Sequence, residues 1–82
     1  MALEDRSGRI DRTKPVHIWQ QVADMIRDDI SAGRLRSGNR LPNEQELAGQ
    51  YGVARLTIRR AVQDLTRDRA VVILRGRGTF VR

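Results

Sequence analysis

The 82-residue sequence predicts a small α+β fold in which three helices are followed by a two-stranded β-hairpin. Three observations lead to this fold class. Apolar residues recur at helical spacing in three successive segments, a glycine separates the second segment from the third, and a β-branched run with a Gly-Arg-Gly tip closes the chain. A domain of this size has a core that is only marginally stabilising, and without cysteine it has no disulfide to reinforce it.

The N-terminal segment lacks the pattern of the rest of the chain. Residues 1–13 contain only Leu3 and Ile10 as sizeable apolar groups, and these two show no helical or strand period. A segment that cannot bury apolar surface does not offset the entropy lost on ordering. We therefore expect a disordered leader over residues 1–13 and a folded domain over residues 14–82.

The first helix is predicted over about residues 16–32. Pro15 suits the first turn of a helix because its missing N–H would have no partner there, and Gly33 is a natural left-handed end. The aspartates of this segment fall on the side opposite its apolar stripe, which makes that outer face unsuited to an anionic partner. The apolar positions are Ile18, Val22, Met25, Ile26 and Ile30, with Trp19 beside them.

The second helix is predicted from the stretch PNEQELAGQYG. The Asn43 side chain can accept from a free backbone N–H at the helix start, and Glu46, three residues later, completes a capping box. Gly52 ends the helix. Helical periodicity resumes after only Val53 and Ala54, and two helices joined by so short a glycine-containing turn indicate a helix-turn-helix.

The third helix is predicted over residues 55–68. At about 100° per residue its apolar residues share one face, while Leu56 points outward among arginines. An exposed leucine is ordinary, but near a helix start it is also placed to touch a thymine methyl in the major groove. Arg60 is a candidate for a surface pair with Asp64 or for a phosphate contact. The outward side chains are Arg55, Leu56, Arg59, Arg60 and Gln63.

Net charge is concentrated at the C-terminal end of the chain. Residues 1–54 hold eight basic and eight acidic side chains, whereas residues 55–82 hold eight arginines and two aspartates, which accounts for the whole net charge of +6. Arginine presents a planar, bidentate donor suited to phosphates and guanine edges. Nucleic acid is therefore the predicted partner. Arg55 and Arg59, one turn apart, are candidate base readers.

The hairpin is predicted from residues 71–74 and 79–81, with a tip over residues 75–78. A phosphate-binding nucleotide loop would be followed by a helix, a disordered arginine-glycine tract would repeat, and a catalytic loop would need an acid, base or nucleophile beside it. None of these contexts is present. An arginine on a protruding loop remains, and it suits a narrow minor groove, where the negative potential is enhanced.

Other chemistry finds little support in the composition. A single histidine, His17, and the lack of cysteine leave no set of zinc or iron–sulfur ligands, and no nucleophile–base set can be assembled, so we expect neither an enzyme nor a metal or cofactor site. No apolar run reaches the roughly 18 residues that a membrane span requires. A cytoplasmic protein, nucleoid-associated when bound, is the expectation.

Three helices and a basic hairpin make a winged helix-turn-helix, and two stretches carry a family resemblance. The chain resembles the DNA-binding domain of GntR-type bacterial transcription regulators over about residues 15–81, through the stretch LPNEQELAGQYGVARLTIRRAVQDL followed by GRGTFV. The sequence motifs lean toward the HutC-like branch of that family. The resemblance implies a repressor or activator that binds a palindromic double-stranded DNA operator as a homodimer and responds to a small metabolite. The DNA-contacting residues that it implies are Gln45, Arg55, Leu56, Thr57, Arg59, Arg75, Gly76 and Arg77.

Four positions depart from the family pattern. Gln45 stands where arginine or lysine is usual, Ala54 replaces a serine cap at a cost of about 1 kcal/mol, and Leu56 occupies a variable position that we interpret as a specificity determinant. Arg69 stands where glycine commonly ends the third helix, so that turn is either strained by about 1–2 kcal/mol or built differently. We expect the family's C-terminal effector-binding and dimerising domain to lie outside these 82 residues.

Two other functions are compatible with the same charge. A non-specific nucleic-acid or nucleoid-binding module would use the arginines without reading sequence. A winged helix can also serve as a protein-interaction module with an acidic partner, because a fold does not determine a function.

Overall fold

The computed structural model describes residues 4–82 and confirms the predicted α+β fold. Each helix lies within one or two residues of its predicted bounds, and the hairpin follows the third helix directly. The two strands form one antiparallel sheet. The elements are α1 (Ile18–Ser31), α2 (Glu44–Tyr51), α3 (Arg55–Arg67), β1 (Val71–Leu74) and β2 (Gly78–Val81), after a short 3-10 turn at Ser7–Arg9.

The start and end of α2 follow from local hydrogen bonds. The Asn43 carboxamide oxygen accepts from the Glu46 amide at 2.8 Å, and the Glu46 carboxylate accepts from the Asn43 amide at 3.0 Å, which is the predicted capping box. Gly52 takes the left-handed conformation at φ 64° and donates its amide to Ala48. A side chain at position 52 would also lie 2.6 Å from the Ser7 Cβ, so the position requires glycine for two reasons.

One apolar core joins the three helices to the base of the hairpin. α1 and α2 both pack against α3. Tyr51 is its largest fully buried side chain. The core residues are Val22, Ala23, Ile26, Leu41, Leu47, Tyr51, Ile58, Ala61, Leu65, Val71 and Val81.

The hairpin gains a third, very short partner. Val71 pairs with Val81 and Leu74 with Gly78, which sets the register of the two strands. Arg40 forms an isolated antiparallel bridge with Phe80. An isolated two-stranded hairpin is marginally stable in water, and this added bridge ties it to the chain that leads into α2.

The expectation of a disordered leader is wrong for residues 4–13. The Arg6 guanidinium is buried against Asp29 of α1, with Nη1–Oδ2 and Nη2–Oδ1 distances of 2.7 and 3.1 Å, and it also donates to the Tyr51 hydroxyl at 2.9 Å. The Arg6 amide donates to the Gln50 carbonyl. A buried ion pair orders the segment without any apolar period, which is why hydrophobic periodicity did not reveal it. Residues 1–3 of the expected leader lie outside the described residues.

The same ion pair corrects the interpretation of α1. Asp29 was expected on the outer face but is only 6% exposed. Burial alone would raise the pKa of its carboxyl group, but hydrogen bonds from Arg6 and Arg34 outweigh that effect and hold the pKa below its usual range. Asp24 and Asp28 do lie on the exposed side of the helix.

Two expectations concern the C-terminal half of α3 and the turn that follows it. Asp64 accepts from Arg27 of α1 at 2.6 Å, so its described ion-pair partner is Arg27 and not Arg60. Arg69 has a φ of 65°, the left-handed conformation that glycine would adopt more easily.

Candidate nucleic-acid interface

The N-terminal end of α3 lies at the surface beside the turn from α2. Ala54 precedes the helix in an extended conformation, and its methyl side chain makes no cap hydrogen bond. The first turn of α3 contains no acidic residue. Free N–H groups and the helix dipole therefore leave this end electropositive.

Three of the exposed side chains of α3 lie near its N-terminal end. The side chains of Arg55 and Arg59 are 63% and 57% exposed, and Leu56 is 54% exposed between them. Thr57 is half-buried and lines a shallow groove with Trp19 of α1. Thus Arg55, Leu56 and Arg59 form one open surface, while Thr57 lies at its edge.

Glu44, the first residue of α2, links the two arginines. Its carboxylate accepts from Arg55 Nε at 3.1 Å and from Arg59 Nε and Nη2 at 3.0 Å each. The hydrogen bonds from Arg59, followed by those from Arg55, hold the pKa of Glu44 below its usual range. Two flexible side chains are thereby held side by side, with other N–H groups facing outward.

Glu44 was not among the sequence-predicted site residues. It lies 11 and 15 positions before its two partners, a separation that no helical or strand period connects. Only the packing angle of α2 against α3 brings these three side chains together.

The hairpin tip forms a second exposed basic surface. Arg75, Gly76 and Arg77 are all exposed, and the Arg77 amide donates to Leu74 to close the turn. Gly76 has a φ of 75°, which a tight reversal between the strands requires. Both guanidinium groups therefore project from a protruding loop, as predicted.

Gln45 is exposed in the first turn of α2, next to Glu44. It carries no charge, so this position offers a weaker phosphate donor than the basic residue usual in the family pattern.

A groove of about 440 Å³ separates α2 and α3 from the hairpin, and Arg40, Glu44, Arg59 and Gly78 are among the residues that line it. Of the sequence-predicted residues, Arg59 lines this groove, whereas Leu56 and Thr57 line the separate groove against α1.

The comparison with known proteins decides the family. The model for bacterial regulatory proteins of the gntR family matches residues 18–81, which covers both the helix-turn-helix and the hairpin. The chain belongs to the GntR family. The resemblance drawn from the sequence is confirmed. Within residues 4–82, no helix of this GntR domain has the length and apolar character needed to cross a bilayer.

Several curated relatives of this GntR domain are named as repressors. The chain is 36% identical over 72 residues to the HTH-type transcriptional repressor NagR of Bacillus subtilis, covering 88% of this chain and 30% of that protein. It is 40% identical over 70 residues to the histidine utilization repressor of Klebsiella aerogenes, covering 85% of this chain and 29% of that protein. The chain therefore spans about three tenths of the length of these relatives.

Solved structures confirm the winged helix-turn-helix fold. YtrA of Sulfolobus acidocaldarius, a GntR-family transcription factor, superposes with a TM-score of 0.83 at 34% identity, over 89% of this chain and 77% of that chain. The DNA-binding domain of AraR in complex with operator ORE1 superposes with a TM-score of 0.79 at 36% identity, over 82% of each chain.

Proposed function

We propose that this domain binds double-stranded DNA sequence-specifically, as the operator-reading part of a bacterial transcription repressor. The observation that carries the proposal is the pair of exposed guanidinium groups, Arg55 and Arg59, held side by side by Glu44 at the N-terminal end of α3. Recognition helices present their N-terminal residues to base edges in the major groove, where an arginine can bind guanine N7 and O6 together.

Each predicted contact has a distinct role in this arrangement. Arg55 and Arg59 read guanine or bind phosphate, and the exposed Leu56 contacts a thymine methyl. Thr57 and Gln45 donate to phosphates at the edges of the major groove. The hairpin tip, Arg75 to Arg77, enters the neighbouring minor groove.

The relatives support the regulatory part of the proposal. The domain would occupy one half-site of a palindromic operator, with a second copy on the other half, and a small effector would act through a further domain of the whole protein. The named repressors among the relatives and the operator complex of the AraR domain favour this assignment over a nucleoid-binding or protein-interaction module.

The test is selection of preferred duplexes from a random pool by the 82-residue chain, followed by titration of the selected and a scrambled duplex at several salt concentrations. We expect a defined half-site, an affinity for it about a thousandfold or more above that for the scrambled duplex, and a log affinity that falls steeply with log salt. Steep salt dependence without sequence preference would instead support a non-specific module. A flat response would reject DNA binding.

A further inference from the structure

The groove between α3 and the hairpin is lined by Arg40, a residue that the family resemblance does not implicate in DNA contact. The Arg40 guanidinium lies against Gly78 at the start of β2. A Cβ placed on Gly78 would lie 2.6 Å from Arg40 Nε and 3.4 Å from its Cζ. The absence of a side chain at Gly78 therefore leaves the space in which the Arg40 side chain lies.

The backbone at Arg40 is fixed to the hairpin. Arg40 bridges Phe80, the Leu41 amide donates to Thr79 at 2.8 Å, and the Val81 amide donates to Asn39 at 2.8 Å. Leu41, the next residue, is a buried core residue. The position of Arg40 relative to the hairpin is consequently set by backbone pairing on both sides and by an adjacent core anchor.

Arg40 is exposed, and among residues 4–82 its guanidinium has no ion-pair or side-chain hydrogen-bond partner. The acidic residue that shares the groove is Glu44, whose carboxylate is bound by Arg55 and Arg59. A charge that the fold leaves without a counterion is available to an external anion.

B-form DNA supplies an anion at this position. Adjacent major and minor grooves are separated by one phosphodiester strand, which carries one phosphate for about every 3.4 Å of the helix axis. A protein that places α3 in the major groove and the hairpin tip in the neighbouring minor groove must straddle that strand. The strand then runs through the space between α3 and the hairpin, which is the groove that Arg40 lines.

We propose that Arg40 is a further DNA-contact residue, which binds a phosphate of the strand between the two grooves and so fixes the position of the hairpin relative to α3 on the duplex. This inference rests on the proposed function. A guanidinium is suited to the role because it donates two parallel hydrogen bonds to a phosphate. A contact of this kind adds affinity without sequence preference.

The test compares Arg40→Ala, Arg40→Lys and Arg40→Met with the unaltered chain on the selected and the scrambled duplex over a salt series. We expect Arg40→Ala and Arg40→Met to weaken binding to both duplexes by a common factor of about ten, as for one charge-assisted hydrogen bond. The slope of log affinity against log salt should fall in magnitude by about 0.9, and Arg40→Lys should restore most of it. The half-site preference should not change.

Arg67→Ala is the matched control. It removes one exposed arginine at the opposite end of α3, about 18 Å along the helix axis from Arg55, and should leave the salt slope unchanged. Arg40→Met keeps the aliphatic stem over Gly78, so it separates the charge from packing. Thermal unfolding of each variant identifies any general loss of the hairpin.

A salt slope equal to that of the unaltered chain in both Arg40→Ala and Arg40→Met would overturn the inference. An unchanged affinity of Arg40→Met for both duplexes would also overturn it, because Arg40 would then only support the hairpin. In both cases the unaltered chain still selects its half-site, so the proposed function stands. Absence of duplex binding by the unaltered chain would instead overturn both proposals.

Discussion

Glu44 and Arg59, 15 residues apart, form a two-point ion pair in which Oε2 and Oε1 of the carboxylate accept from Nε and Nη2 at 3.0 Å each. The geometry orients the guanidinium plane before any ligand arrives. Three N–H donors of Arg59 remain outside this pair. An arginine oriented in advance loses less side-chain entropy when it binds a base edge that matches its orientation, which raises the affinity for a matched site.

Glu44→Gln should therefore lower specificity and raise non-specific binding. The substitution removes a negative charge beside Arg55 and Arg59 and frees both side chains to reach any phosphate. We expect the ratio of affinities for the selected and scrambled duplexes to fall by about tenfold, within the range for one base-reading pair. Parallel titrations of both duplexes measure it. An unchanged ratio would show that Glu44 has no part in orienting the arginines.

Arg59→Ala should cost about 1–3 kcal/mol on the selected duplex and relax the preference at a single base position. The reason is the loss of a bidentate donor to one base edge. Repeating the duplex selection with the variant identifies the position, and Arg67→Ala at the far end of α3 is the control. Equal weakening on every sequence would mean that Arg59 binds phosphate.

Arg6→Ala should destabilise the fold by less than the cost of about 3–5 kcal/mol typical of a buried ion pair that loses one partner, because the buried Asp29 carboxylate keeps Arg34. Urea unfolding at neutral pH measures the free energy of unfolding. Arg9→Ala is the matched control, because Arg9 is an exposed arginine of the same segment. If both variants unfold at the same urea concentration, the Arg6–Asp29 ion pair does not contribute to stability.

The free energy of unfolding should decrease at acid pH because the Asp29 carboxylate becomes protonated. Its folded-state pKa is below the ordinary value of 3.8, so at low pH the unfolded chain binds the proton more tightly than the folded chain. The stabilisation is thus fully present above about pH 5 and is lost as the pH falls through the folded-state pKa. Urea midpoints measured from pH 6 to pH 3 should show a shallower decline in Asp29→Asn. A decline as steep as that of the unaltered chain would assign the acid sensitivity to other carboxylates.

Arg69→Gly should stabilise the fold by up to about 1 kcal/mol, because the residue occupies left-handed backbone at φ 65°. Arg69→Ala removes the same charge without relieving the conformation and should give no gain. Thermal unfolding of the two variants side by side separates backbone strain from charge. A stabilisation of equal size in both would point to charge repulsion.

The elements that were predicted correctly carry their signals locally. Asn43 and Glu46 are three residues apart, and Gly52 ends α2 by its own conformation. Both ends of the helix can therefore be predicted from residues close together in the sequence. The hairpin tip is equally local. The exposed arginines of α3 followed from helical geometry alone.

The features that were missed depend on tertiary contacts. Arg6 meets Asp29 and Tyr51 across 23 and 45 positions, and the apolar pattern of the leader contains no trace of those contacts. Glu44 reaches Arg59 only after α2 and α3 have packed. Such pairs depend on the angle between elements, which no single-segment period encodes.

The buried Arg6 contact also has a consequence for how the domain opens. The Arg6 amide is bonded to Gln50 in the last turn of α2, and its guanidinium is bonded to α1, so the N-terminal segment cannot detach without breaking contacts to both helices. Hydrogen exchange at this amide should therefore follow the slow exchange of α1 and α2 and not the fast exchange typical of chain ends. A stretch with the composition of a tail then belongs to the same cooperative unfolding unit as the helices that it joins.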